Sequence, residues 1–304
     1  MKWFKNSLLL LVLILLITAC GVKEGKDQQN DESVVYTSFY PLEYMAERIA
    51  GGKIKVHNIM ALGASVHGWE PTAKDMAGLS DADLLIINGL GLEPWLDDVR
   101  GSVSTTIIDS SNGVDAIVLQ EEDHDHGDHD HGEYDPHIWL APKNAIIQSE
   151  NIKNAFVDLV PEEKEYFEKN FEELTMELEG LDAQFAHSVG DFNAYIIVPH
   201  EAFGYLARDY GFKQVPIEGI HSDTEPDLQK MTELTDFAKD HHISTVFYEE
   251  GDSPKIPQAI AKEIGADIEG ISTIEARTQE QIDAEQDYLT IMKENIEKII
   301  EAIK

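Results

Sequence analysis

The chain has 304 residues and a formal net charge of −35, from 58 Asp+Glu against 23 Lys+Arg. This balance excludes nucleic acid and anionic lipid head groups as partners, since both are held by clustered basic side chains. A negative field of this size instead raises the local concentration of cations.

The first segment addresses the protein rather than folding it. Lys2 and Lys5 precede an apolar run over residues 8–17, followed by Thr18-Ala19-Cys20-Gly21. A basic start, a short apolar stretch and small residues at its end describe an export signal, residues 1–19. The apolar run falls short of the about 20 residues that a membrane-spanning helix needs. Ile17-Thr18-Ala19-Cys20 resembles the lipobox of bacterial lipoproteins, which implies a lipid on Cys20 and attachment to the membrane through it. Cys20 is the only cysteine, so the acylated chain has neither a disulfide nor a thiolate ligand for zinc. Residues 20–32 are polar and cannot build a core; they read as a flexible tether.

About 270 residues remain, enough for two domains of ordinary size. Residues 34–39 read as a strand, followed by a helix opening at Pro41, a residue favoured in the first helical turn. Further strands are expected at 54–60, 83–88 and 104–109, with a helix over 72–79. Short apolar runs spaced by helices indicate a parallel sheet covered on both faces. Over residues 161–190, Tyr166, Phe167, Phe171, Leu174, Leu178, Leu181 and Phe185 recur at helical spacing among Glu and Lys. That is one helix, about 40 Å long. Beyond it, strands are expected at 194–198, 212–217, 243–248 and 266–271, and helices at 201–209, 225–240, 255–264 and 279–303. The expected fold class is α/β: two Rossmann-like β/α domains with parallel sheets, residues 33–160 and 191–304, joined by the long helix. No internal sequence repeat is evident.

The histidines carry the chemistry. Four of the 12, His124, His126, His129 and His131, alternate with Asp123, Asp125, Asp128 and Asp130 inside an acidic run, residues 121–133. Imidazole is a common ligand for borderline transition metals, carboxylates can share its site, and short His-rich tracts are associated with metal. With neither apolar residues nor turn chemistry, the run is expected to be disordered and to bind ions loosely and exchangeably. Three more histidines fall at expected strand ends or in the loops after them. His67 lies in Val66-His67-Gly68-Trp69-Glu70-Pro71, His137 in Asp135-Pro136-His137-Ile138-Trp139, and His200 after Tyr195-Ile196-Ile197-Val198-Pro199. Open α/β sheets bind ligands beyond the carboxyl ends of their strands. Three histidines from two domains can therefore meet in one interdomain cleft. His57, His187, His221, His241 and His242 read as surface or helix-end residues.

These segments resemble the zinc-specific solute-binding lipoproteins of bacterial ABC importers, the metal-binding cluster with a rigid linking helix. The likeness runs from Cys20 to the terminal helix. It rests on His67-Gly68-Trp69-Glu70-Pro71, the acidic His-rich loop, Asp135-Pro136-His137-Ile138-Trp139 and His200-Glu201-Ala202-Phe203-Gly204-Tyr205, in that order. The resemblance implies His67, His137 and His200 as zinc ligands. It implies a less uniform fourth ligand late in the second domain, where Gly270-Ile271-Ser272-Thr273-Ile274-Glu275 nominates Glu275. Glu249 and Glu250, at the end of an expected strand, are the alternatives. Three imidazoles and one carboxylate suit four-coordinate Zn²⁺, whereas manganese favours more oxygen. Manganese-binding relatives have a carboxylate where His200 stands. The resemblance further implies a monomer on the outer face of a Gram-positive-like cell membrane. It would pass Zn²⁺ to an ABC permease driven by a cytoplasmic ATPase.

Two other classes compete with that reading. A zinc-dependent hydrolase also uses three protein ligands, with water in the open position. The chain has no His-Glu-x-x-His, Gly-x-Ser-x-Gly or Gly-x-x-x-x-Gly-Lys-Ser/Thr segment, and no enzymatic activity is expected. A manganese-binding or adhesin-type lipoprotein is the other. Metal exchange separates carrier from hydrolase: a carrier hands on intact metal, and a hydrolase turns over esters or peptides.

Overall fold

Among the described residues eight short parallel strands form two sheets, each built on apolar central strands. In the computed structural model, which describes residues 32–66, 68–119, 133–188, 194–220 and 226–304, the first sheet holds β1 (Val34–Thr37), β2 (Lys55–Asn58), β3 (Leu84–Ile87) and β4 (Thr106–Asp109) in the order β2-β1-β3-β4. β3 reads Leu-Leu-Ile-Ile and is buried at every position, as a central strand covered on both faces must be. The edge strands β2 and β4 each begin with an exposed residue and bury none fully. The second sheet holds β5 (Tyr195–Val198), β6 (Lys213–Pro216), β7 (Thr245–Glu249) and β8 (Asp267–Ile271) in the order β6-β5-β7-β8, again all parallel. The two halves thus repeat one topology although no sequence repeat is evident. Topology needs only the alternation of apolar strands and helices, not the same residues.

Ten α-helices are described. The first half has α1 (Tyr40–Ala50), α2 (Ala73–Ser80), α3 (Leu96–Ser102) and α4 (Pro142–Leu159). The long helix α5 (Lys164–Ser188) follows. The second half has α6 (Gly204–Tyr210), α7 (Leu228–Asp240), α8 (Lys255–Ile264), α9 (Gln279–Asp283) and α10 (Tyr288–Ala302). Pro41 sits in the first turn of α1 as expected. One helix is not anticipated from the sequence, and two expectations are corrected. α4 lacks a clear apolar period because Asn144, Gln148 and Ser149 share its buried face with Ala145, Ile152 and Phe156. The single terminal helix is two: Glu285 takes φ +55, and Asp287 then caps α10 by accepting the Thr290 N–H at 2.9 Å. The helix after His200 begins only at Gly204, because the Phe203 N–H turns aside to Gln214 Oε1 at 2.8 Å.

α5 joins the halves. Phe167, Leu174, Leu178 and Phe185 are fully buried on one face of its 25 residues. Phe167 packs on Phe156 of α4, with ring centroids 5.8 Å apart, and Phe185 packs on Tyr210 of α6 at 4.2 Å. Each such side chain contributes about 1.5–3 kcal/mol by burial. One hydrophobic cluster consequently runs from Val35 in β1 to Ile300 in α10, and residues 33–304 form one unit. No helix among the described residues is long and apolar enough to cross a membrane. The export signal, the tether with Cys20, His67, His221 and the run carrying His124, His126, His129 and His131 lie outside the described residues.

Candidate metal centre

Three segments converge beyond the strand ends. β5 is apolar and central, and its last residue leads through Pro199 to His200, which is 4% exposed. β8 ends at Ile271 and leads into a tight turn. Asn295 holds Ser272 from both sides, accepting its N–H at 3.1 Å and donating to its carbonyl at 2.6 Å. Ser272 Oγ accepts the Ile274 N–H at 3.1 Å, and Ile274 is forced to φ +58, a left-handed conformation rare for a β-branched residue. The next residue is Glu275, whose Oε1 stands 3.6 Å from His200 Nε2. The third segment is Asp135-Pro136-His137, ahead of a 3-10 turn at Ile138–Leu140.

Asp135 fixes the ring of His137. Its Oδ1 lies 2.9 Å from both the backbone N and the Nδ1 of His137, and both residues are buried. A carboxylate on one ring nitrogen sets the tautomer and directs the other nitrogen to a metal. Here that other nitrogen is Nε2. One ligand atom from each of His137, His200 and Glu275 lies within 4.8 Å of the others. Two ligands on a tetrahedral zinc, each about 2.0–2.1 Å away, stand about 3.4 Å apart. The cluster needs only a small contraction to hold such an ion. A cavity of about 600 Å³ lined by His200, Glu249 and Glu275 opens beside it. Gly63, Ala64 and Ser65, on the loop leading to position 67, line the same cavity.

The two alternative carboxylates line the same cavity but have other hydrogen-bond or ion-pair partners. Glu249 Oε1 accepts the Thr273 N–H at 2.9 Å and the Thr273 hydroxyl at 3.2 Å. Burial pushes the Glu249 carboxyl well above the usual range, and the neighbouring Glu275 charge pushes it the same way. Glu250 pairs with Lys298 at 2.6 Å and accepts from Gln281 at 2.9 Å.

Several further residues support the cluster; Trp139 and Tyr205 belong to the motifs read from the sequence, whereas Asn88, Gly89, Glu93 and Tyr288 were not singled out. Asn88, at the end of β3, donates to Pro136 O at 2.9 Å, so the peptide before His137 is anchored to the first sheet. Glu93 accepts the N–H groups of Asn88 and Gly89 at 2.7 and 3.1 Å. Gly89 takes φ +85, and a Cβ there would stand 2.2 Å from Asp109 Oδ1, so only glycine fits this turn. Trp139 Nε1 donates to Thr273 O at 2.7 Å, and the Tyr288 hydroxyl donates to Trp139 O at 2.5 Å. Tyr205 donates its hydroxyl to Asp135 O at 2.6 Å. The Asp135-x-His137 spacing carried a legible signal, since an Asp side chain bonds backbone two residues on. The cross-half partners carried none.

Comparison with known proteins places the chain among zinc-handling proteins. The family model described as ZnuA, zinc-uptake complex component A periplasmic, matches residues 35–302. The chain is 35% identical to the high-affinity zinc uptake system protein ZnuA of Bacillus subtilis, across 99% of this chain and 98% of that one. It is 31% identical to the zinc-binding lipoprotein AdcA of Streptococcus pneumoniae, covering 97% of this chain but only 60% of AdcA. Among solved structures, the laminin binding protein Lmb of Streptococcus agalactiae, described as bifunctional with adhesin and metal transporting activity, superposes with a TM-score of 0.79 at 29% identity. That match covers 90% of this chain and all of the other.

Proposed function

This chain belongs to the ZnuA family of zinc-uptake components, and on that premise we propose that it captures extracytoplasmic Zn²⁺ in a cleft between its β/α halves and delivers the ion to an ABC permease served by a cytoplasmic ATPase. The ligands in this reading are His67, His137, His200 and Glu275. The observation that carries it is the convergence of two buried imidazoles and one carboxylate within 4.8 Å at the strand ends. Zinc is cargo, so the site must bind it well and still release it. Binding needs neutral imidazoles and an ionised carboxylate, and it therefore weakens as pH falls.

The mature chain in this reading is anchored by a lipid on Cys20, with residues 20–32 as tether, 33–160 and 191–304 as the two domains and 161–190 as the linking helix. It acts as a monomer on the outer face of the cell membrane. The family is one of solute-binding transport proteins, and the chain works as a carrier without catalytic residues. The His-rich run holds further ions weakly and raises their concentration near the cleft. Attachment to a host protein is a second reading, favoured by the likeness to the laminin-binding proteins Lmb and Lbp; immobilised laminin that fails to retain the chain removes it. The main test is zinc calorimetry on a variant that lacks the acidic run and carries His67→Ala, His137→Ala and His200→Ala. The expected result is no tight site, and retained tight binding overturns the ligand assignment.

A further inference from the structure

The acidic run leaves and re-enters the fold through a short stem. Leu119 N donates to Glu133 O and Asp135 N to Ile117 O, both at 2.9 Å. Between these bonds Val118 and Tyr134 form an isolated antiparallel bridge. Two bonds flanking one facing pair is the ordinary antiparallel pattern, so the stem is a minimal ladder.

Its base is closed by a side chain. The Tyr205 hydroxyl donates to Asp135 O at 2.6 Å and accepts the Ile117 N–H at 3.2 Å, joining the two stem strands where the ladder stops. Tyr205 is fully buried, and burial pushes its phenol up to about 12, so the hydroxyl keeps its proton and remains a donor. The preceding residue is shaped to the same end. A Cβ at Gly204 would lie 2.7 Å from Asp135 Oδ2 and 3.5 Å from Ile117 Cδ1. Asp135 is therefore held at its N–H by Ile117, at its carbonyl by Tyr205 and beside its outer carboxylate oxygen by Gly204. Its inner oxygen is the one on His137.

We propose that the stem of the acidic run, closed at its base by Tyr205, is the positioning device for His137. The ladder Ile117–Leu119 against Glu133–Asp135 and the Tyr205 hydroxyl set Asp135, and Asp135 sets the imidazole. The segment that delivers His200 thereby also fixes the ring of His137 from the other half. The run itself is dispensable for cleft affinity in this scheme, and the stem is not. The proposal rests on the reading of His137 as a zinc ligand.

The test compares two tyrosines of α6 in the full mature chain. Tyr205→Phe deletes only the hydroxyl at the stem. Tyr210→Phe deletes a hydroxyl that donates to Asp182 Oδ1 at 2.6 Å, away from Asp135. Zinc affinity is read by chelator competition, ligand geometry by the visible absorption of bound Co²⁺, and stability by thermal melting. Tyr205→Phe is expected to weaken zinc about tenfold, as loss of an outer-shell partner does, and to alter the Co²⁺ spectrum. Tyr210→Phe should do neither. Replacing residues 120–132 by Asn-Gly, which closes an antiparallel pair as a tight turn, should keep the cleft affinity. Adding Leu119→Pro, which deletes one stem donor, should weaken it again. His137→Ala keeps the two readings apart: wild-type affinity there overturns the ligand assignment. If His137→Ala loses the site while Tyr205→Phe matches the wild type in affinity and spectrum, the positioning role alone is overturned. Equal zinc losses in both tyrosine variants, tracking their melting temperatures, overturn it too.

Discussion

Asp135→Asn isolates what holds the ring of His137. Asp135 is 2% exposed, and its Oδ1 takes both the backbone and the ring N–H of His137 at 2.9 Å. Asparagine has nearly the same shape, so the amide nitrogen can take the place of Oδ2 beside Gly204 and Oδ1 can keep both bonds. What disappears is the charge. A hydrogen bond to a charged group contributes about 1.5–3 kcal/mol and a neutral one about 0.5–1.5. The difference, about 1–1.5 kcal/mol, is close to tenfold in a dissociation constant. Loss of the carboxylate also makes the imidazole a weaker base toward the metal, so the whole effect should lie at about ten- to hundredfold. Competition against a chromophoric chelator reads it directly. Thermal melting gives an independent check: the bonds are present without zinc, so the metal-free protein should itself lose up to about 1–1.5 kcal/mol, and tenfold weaker binding at saturating zinc removes about 1.4 kcal/mol of ligand stabilisation on top of that. A folded variant with wild-type zinc affinity would refute the claim that Asp135 sets the ring.

Further outcomes follow from the same geometry. Glu275→Gln keeps the size of the side chain and removes its charge; zinc affinity should fall with the metal-free melting temperature unchanged, and an unaltered affinity with Glu249 or water on the ion in a crystal would remove Glu275 from the ligand set. Burial, with Asp109 adding to it, raises the Glu93 carboxyl to about 7. A carboxyl raised in the folded state gives stability that is present below its ordinary range and lost as pH climbs toward that value. Urea unfolding of the metal-free chain should therefore lose up to about 3 kcal/mol between about pH 5 and about pH 8 through this one group. Glu93→Gln should remove that part of the slope, and equal slopes in both proteins would contradict it. Phe185→Ala opens a cavity where α5 meets Tyr210 and Phe212. It should lower stability by about 3–5 kcal/mol, and a loss under about 1 kcal/mol would show that the helix end is not a core contact.

What the sequence disclosed depended on how local the physics was. The fully apolar β3 and the spaced aromatic and leucine face of α5 announce themselves, because burial repeats at the period of the backbone. His137 and His200 stand out because each follows or precedes a distinctive local run, and both arrive in the cluster. Glu275 had no such local mark and came only through resemblance. α4 stayed hidden because its inward face carries Asn144, Gln148 and Ser149, and the partners of Gln148, Asn88 and Ser110, lie in other strand-end loops. The break after α9 was equally opaque: Asp287 reads as one more acidic residue on a helix until its carboxylate is seen capping α10. Tyr205 and Asp135 are separated by 70 positions, and no pattern within either segment points to the other.

Those distant bonds bear on how a carrier site can be both tight and reversible. Tyr205 to Asp135, Trp139 to Thr273 and Tyr288 to Trp139 all tie the His137 segment to the second half, while Asn88 ties it to the first. Each bond contributes only about 1 kcal/mol net, yet removing a donor leaves a buried carbonyl unsatisfied, which costs about 1–3 kcal/mol. The segment therefore has little freedom to leave its place. With His137 as a zinc ligand, these bonds mean that the fold itself holds one ligand segment in place, which lowers the conformational entropy left to be lost on binding. The described part of the cavity rim nearest position 67 is the loop of Gly63, Ala64 and Ser65, in which Gly63 and Ser65 are exposed and Ala64 is half-buried.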